Sequence, residues 1–215
     1  MTDILWTRPE GPSHGTFVFA HGAGVGMDSP FMAAIPENLL ALGITTARFE
    51  FAYMAGRRTG GSKRPPPRAD KLIPEYEAAI AEVLAGCDGP VVIGGKSMGG
   101  RVAAMVAGLE GLDARVCGVA CLGYPFHAPG KPDAVRLDPL LGARLPVLIA
   151  QGERDPFGKR EEVEALPLPA SVSVMWLDDG DHDLAPRGRA AATRTGNLQR
   201  TAEAISAFFA RVSGS

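Results

Sequence analysis

Apolar residues fall along this chain in two alternating rhythms. Short apolar runs closed by glycine or polar residues predict strands over residues 16–20, 44–51, 115–123, 146–151 and 171–177, with a further strand opening at Val91-Val92-Ile93. Between them, apolar positions recur at three- and four-residue spacing. A helix opening at Ser29-Pro30 places Phe31, Ile35, Leu39 and Leu42 on one face. Pro36 is expected to kink or interrupt it. Residues 70–86 carry Leu72, Tyr76, Ala79, Ile80, Val83 and Leu84 at helical spacing, with Pro74 tolerated in the first turn and Gly86 closing the helix. Residues 102–109 are apolar nearly all round, as in a central helix, and residues 197–212 form an amphipathic one. Strands alternating with helices predict an α/β fold with a mostly parallel central sheet and helices on both faces.

Two stretches lack periodicity. Residues 52–69 contain Arg57, Arg58, Lys63, Arg64, Arg68 and three consecutive prolines, and are read as irregular. This segment is either a solvated basic loop or a rim drawing an anionic substrate to the site through Arg57 and Arg58. Residues 124–145 have room for a loop with one helical turn, so a lid is minimal or absent and the site is open.

With 215 residues, 46% hydrophobic and 21% charged, the chain is expected to be a single globular domain spanning residues 1–215. A net charge of −2 provides no field to draw it to nucleic acid or to an anionic membrane. No leader-like start and no run of eighteen apolar residues is seen, which predicts a cytoplasmic protein. Cys87, Cys117 and Cys121 show no metal-ligand spacing and read as buried thiols in a reducing compartment.

The candidate chemistry begins at Gly94-Gly95-Lys96-Ser97-Met98-Gly99-Gly100-Arg101, a G-x-S-x-G pattern after a strand and before a helix. A serine on so sharp a turn is strained, and the residues two before and two after it crowd the turn, which is why glycines stand there. Gly95-Lys96-Ser97 imitates the end of a phosphate-binding loop, but Pro90 stands where that loop needs its first glycine, which argues against nucleotide binding. After the first predicted strand, His21-Gly22-Ala23-Gly24 forms a turn with free main-chain N–H groups. The N–H groups of Ala23 and Met98 are expected to bind an oxyanion, and His21 to orient the turn.

Asp155 follows the strand 146–151, and His182 follows the strand 171–177. The order Ser97, Asp155, His182 is that of nucleophile, acid and base, each just past the C-terminal end of its strand, where side chains distant in sequence meet on one sheet edge. A hydroxyl becomes nucleophilic when an imidazole takes its proton and a buried carboxylate fixes that imidazole. The bland readings are a turn aspartate before Pro156 and, for residues 178–183, a solvated loop or a cation site. The latter lacks any recognised ligand spacing, so no metal and no cofactor are expected. Lys96 is read as favouring an acidic substrate or a Ser97 alkoxide, or as a surface ammonium paired with a carboxylate.

On these residues the sequence resembles the α/β-hydrolase superfamily, from His21-Gly22 to the last helix. Gly94 to Arg101, Gly123-Tyr124-Pro125-Phe126-His127 and Asp181-His182-Asp183 are similar to a small, lid-poor hydrolase family, relatives of dienelactone hydrolases, that includes a testis-expressed protein and a subunit of an acetyltransferase complex. The resemblance implies an eight-stranded, mostly parallel sheet and the triad Ser97, Asp155, His182. It departs from dienelactone hydrolases at the elbow, where they carry cysteine and this chain carries Ser97. The expected function is hydrolysis of a small acyl ester or thioester through an acyl-enzyme. The alternatives are acyl transfer by the same residues and a non-catalytic module of this fold that binds a partner protein. Oligomeric state is not legible.

Overall fold

A computed structural model describes residues 3–58, 60–61 and 65–214. Lys63 and Arg64 of the basic segment lie outside the described residues. Seven strands form one sheet: β1 (Ile4–Thr7), β2 (Thr16–Ala20), β3 (Thr45–Phe49), β4 (Val91–Lys96), β5 (Val116–Leu122), β6 (Val147–Gly152) and β7 (Val172–Leu177). Their spatial order is β1-β3-β2-β4-β5-β6-β7, with β1 antiparallel to β3 and every other pairing parallel.

The helices are α1 (Pro30–Leu40), α2 (Ala52–Arg58), α3 (Ile73–Ala85), α4 (Met98–Val106), α5 (Asp138–Leu141), α6 (Arg160–Glu164) and α7 (Arg194–Val212). A 3-10 turn, Ala69–Leu72, leads into α3. Because successive strand residues point to opposite faces, the central strands feed two cores. Val91 and Ile93 join Val18, Tyr76, Val102 and Ile149 on the α3 and α4 face. Val92 joins Phe17, Ile35, Ile205 and Phe209 on the α1 and α7 face.

The seven described strands correct the expected eight. The residues before β2 include Pro9, Gly11 and Pro12, which leaves length for one antiparallel strand only. The segment 52–69 is not wholly irregular, since α2 opens it and carries both Arg57 and Arg58. Pro36 does not interrupt α1. A proline at position 36 deprives the Met32 carbonyl of its helical donor, and the buried Arg48 guanidinium donates to that carbonyl at 3.2 Å and to the Met27 carbonyl at 3.0 Å. Ser29 occupies the N-cap position of α1, but its hydroxyl makes no capping bond. Residues 124–145 hold the single-turn α5 and no lid, as their length implied.

Candidate active site

The site lies beyond the C-terminal ends of β4, β6 and β7, and begins with a one-residue corner. Ser97 still belongs to the sheet through its N–H, which donates to the Leu122 carbonyl at 2.9 Å, yet its own carbonyl accepts the first bond of α4, from Arg101 N at 3.1 Å. Serving both elements forces the backbone to φ 52°, ψ −114°, a conformation that L residues rarely occupy. The two flanking glycines are steric requirements. A Cβ at Gly95 would sit 2.5 Å from the Gly99 carbonyl carbon, and one at Gly99 would sit 2.6 Å from the carbonyl oxygens of Ala20 and His21. Behind the corner, the buried Tyr76 hydroxyl donates to the Gly94 carbonyl at 2.5 Å and accepts from Gly94 N at 2.8 Å, pinning β4 where its side chains give out.

Asp155 is fully buried at the turn after β6. Its Oδ1 accepts from Phe157 N at 2.8 Å, and its Oδ2 accepts from Gln151 Nε2 at 3.0 Å and from His182 Nδ1 at 2.8 Å. Together these contacts fix where its oxygens point. The Nδ1–H donation leaves His182 Nε2 as the ring's acceptor, the tautomer a general base needs. Phe157 packs on the imidazole with ring centroids 4.2 Å apart. Gly123 connects the histidine to the elbow: it follows Leu122, the partner of Ser97, and a Cβ on it would lie 3.2 Å from His182 Nδ1. Its φ of 64° carries the chain out of β5 without a side chain in that space.

Met98 opens α4, so its N–H has no acceptor within the helix. The turn holding Ala23 runs beside the corner, with Gly22 close enough that a Cβ on it would sit 3.6 Å from Ser97 Cβ. His21 braces this turn. It is buried, its Nδ1 donates to the Gly22 carbonyl at 2.6 Å, and its Nε2 accepts from Phe51 N at 3.1 Å. Burial lowers its pKa, consistent with a neutral ring holding two fixed bonds. The Tyr53 hydroxyl on α2 faces the carbonyls of Gly22 and Ala23 at 3.4 and 3.3 Å.

The three cationic residues expected at the substrate each meet a partner within the chain. Lys96 is not a surface ammonium: it is 4% exposed. Its Nζ donates to the His182 carbonyl at 2.6 Å, pairs with Asp183 Oδ1 at 3.3 Å and lies 5.3 Å from the Phe31 ring centroid. Burial lowers its pKa while Asp183 and Asp155 oppose the shift. Arg58 turns to Glu50 at 2.9 Å and Asp3 at 3.3 Å, and the Arg57 guanidinium lies over the Tyr53 ring at 5.3 Å.

The acidic turn after β7 is likewise internally engaged. Asp178 pairs with Arg200, Asp179 with Arg154 and Arg187, and Asp181 accepts from the N–H groups of Asp183 and Ala185. The hydrogen bonds from Arg187 hold the Asp179 pKa at about 2. Sequence reasoning missed Gln151, Tyr53 and Tyr76. Of these only Gln151 left a signal, a lone amide ending the apolar run Val147-Leu148-Ile149-Ala150.

A mostly parallel sheet with helices on both faces, carrying a serine corner at one edge with an acid and a histidine at the turns beside it, defines the α/β-hydrolase fold. The chain belongs to the family described as the alpha/beta hydrolase domain, which it matches over residues 13–210. No curated protein matches it. Among solved structures, it is similar to an alpha-beta serine hydrolase homologue from Coxiella burnetii, with TM-score 0.69 and 20% identity over 96% of this chain and 91% of that one. It is also similar to a dienelactone hydrolase from Anabaena variabilis, with TM-score 0.69 and 21% identity over 99% and 92%. A serine hydrolase without lid from Xanthomonas campestris gives TM-score 0.62 and 18% identity over 95% and 89%. Among the described residues, no helix is long and apolar enough to cross a membrane.

Proposed function

We propose that this chain is a serine hydrolase that cleaves a small ester or thioester through an acyl-enzyme on Ser97. The observation that carries the reading is the 2.8 Å bond from His182 Nδ1 to the buried Asp155, with Ser97 strained at the corner across Gly123. His182 Nε2 takes the Ser97 proton as Oγ attacks the acyl carbon. The oxygen of the tetrahedral adduct draws on the N–H groups of Ala23 and Met98. When the adduct collapses, the bond to the leaving alcohol or thiol breaks, and His182 returns the proton to that leaving group. Water then repeats the sequence, releasing the carboxylic acid and restoring Ser97. Asp155 stays ionised throughout and steadies the imidazolium.

Lys96 acts through the histidine loop, and with no lid over residues 124–145 the crevice suits a small substrate. The test is labelling by a fluorophosphonate together with burst kinetics on a chromogenic acyl ester. One adduct on Ser97, with both signals lost in Ser97→Ala, is the expected result. Absence of labelling in folded protein refutes the proposal, and product analysis with added alcohol separates hydrolysis from acyl transfer.

A further inference from the structure

One turn beyond Ser97, α4 carries an arginine whose charge the protein does not answer. Among the described residues, the Arg101 guanidinium makes no hydrogen bond and no ion pair, and its Nε is buried without an acceptor. Arg136, in the loop before α5, is the same: half-buried, with no side-chain acceptor. By contrast, the guanidiniums of Arg115, Arg154 and Arg187 each find acceptors within the chain.

These two arginines line one cleft of about 430 Å3 between α4 and the α5 loop, with Ile73, Met105, Val135 and Asp138 among the other walls. Ser97, Asp155 and His182 do not line it. Both residues line the same cleft, and burial together with the Arg101 charge pushes the Arg136 pKa down. A guanidinium offers five N–H donors in a rigid fork, and leaving them unanswered in a partly desolvated cleft is costly.

We infer that this cleft is a binding site for a monoanionic carboxylate with an apolar body, held by Arg101 and Arg136. Two guanidiniums against the one carboxylate of Asp138 leave a single positive charge to be matched, which selects a monoanion. The planar forks suit a carboxylate, and the apolar walls of Ile73, Met105 and Val135 suit its hydrocarbon part. The site is separate from the crevice at Ser97, so it does not depend on the hydrolase reading.

The probe is octanoate, titrated calorimetrically into the full chain in low-salt, phosphate-free buffer, with octanol and inorganic phosphate as comparisons. The expected result is saturable one-to-one binding of octanoate, at least tenfold weaker in Arg136→Gln and in Arg101→Gln, unchanged in Ser97→Ala, and at least tenfold tighter than octanol or phosphate. Because the two cations repel each other in the empty cleft, each arginine variant also keeps or raises the Tm without octanoate. Binding that survives both arginine substitutions within twofold overturns the proposal. So does octanol or phosphate binding as tightly as octanoate, binding lost in Ser97→Ala, or a Tm lowered by either glutamine, which would make the arginines structural. No saturable octanoate binding overturns it outright.

Discussion

Lys96 stands beside the proposed nucleophile, but its ammonium grips the main chain of the proposed base. Lys96→Met keeps the buried stem and removes the ammonium, which sets two effects of different size against each other. A hydrogen bond from a charged donor contributes about 1.5–3 kcal/mol, and the one to the His182 carbonyl is short, at 2.6 Å. The pair with Asp183 adds less than about 1 kcal/mol, because that carboxylate is mostly exposed. Against both stands the cost of holding an ammonium out of water, several kcal/mol, which the methionine recovers. Stability is therefore expected to change by no more than about 1 kcal/mol.

Activity has no such offset. The lysine ties the histidine loop at the residue whose ring must meet Ser97, and a displacement on the order of 1 Å costs up to about 100-fold in rate. The expected result on a chromogenic acyl ester is kcat lower by about 10–100-fold with KM within about threefold, since the Asp155 bond to Nδ1 survives.

The pH profile supplies a second readout. Burial lowers the Lys96 pKa from its usual 10.5, against the opposing charges of Asp183, Asp155 and Asp181. Wild-type kcat should then decline in alkali as the ammonium loses its proton, and Lys96→Met should lack that limb. A variant with kcat within twofold of wild type, or one that keeps the alkaline limb, refutes the positioning role.

Three further outcomes follow from the same coordinates. Ser97→Gly removes the strain at φ 52°, about 1–3 kcal/mol, at an entropic cost of about 0.5–1 kcal/mol, so urea denaturation should show a net gain of about 1 kcal/mol alongside complete loss of turnover. A lower midpoint would mean that the corner is not strained. Gly99→Ala drives a Cβ against the carbonyl oxygens of Ala20 and His21 at 2.6 Å, and should lower the urea midpoint by the equivalent of about 1–3 kcal/mol and abolish fluorophosphonate labelling. A soluble variant with the wild-type midpoint contradicts this. His21, whose folded-state pKa lies below 6.5, contributes stability that is complete above pH 6.5 and is lost as pH falls from there toward its folded value. Urea midpoints between pH 8 and 5 should fall more steeply for wild type than for His21→Gln, and equal slopes would dismiss the assignment.

Strands β2, β4, β5 and β6 were legible because a strand buried on both faces reads as a nearly continuous apolar run, whereas β3, Thr-Thr-Ala-Arg-Phe, and the half-buried β7 were read from shorter apolar patches between turns. The corner at Ser97 was legible because its sterics dictate glycines at Gly95 and Gly99. Asp155 and His182 could be picked out because each follows a strand, and parallel strands bring those turns to one edge. What escaped were elements whose cause lies far off in sequence. Helix α1 continues through Pro36 because Arg48, on β3, satisfies the carbonyl that the proline leaves free. Helix α2 is seven residues with a glycine and two terminal arginines, too short and too polar for a periodic pattern. Lys96 is buried because its acceptors, 86 residues away, come from a loop whose path only the fold determines.

The three proposed catalytic residues are held by forces of different kinds, and this sets an order in which the site should fail. Ser97 is fixed by backbone sterics, which neither pH nor salt alters. Asp155 is fixed by complete burial and three hydrogen bonds, two of them from groups that do not titrate, Phe157 N and Gln151 Nε2. His182 depends on Asp155 for its ring and on the Lys96 ammonium for its main chain, and both contacts depend on charge. Conditions that discharge Lys96 therefore loosen the base while the corner and the acid keep their places. Activity is expected to disappear in alkali before the fold does, with the Ser97 corner intact and the proton acceptor displaced.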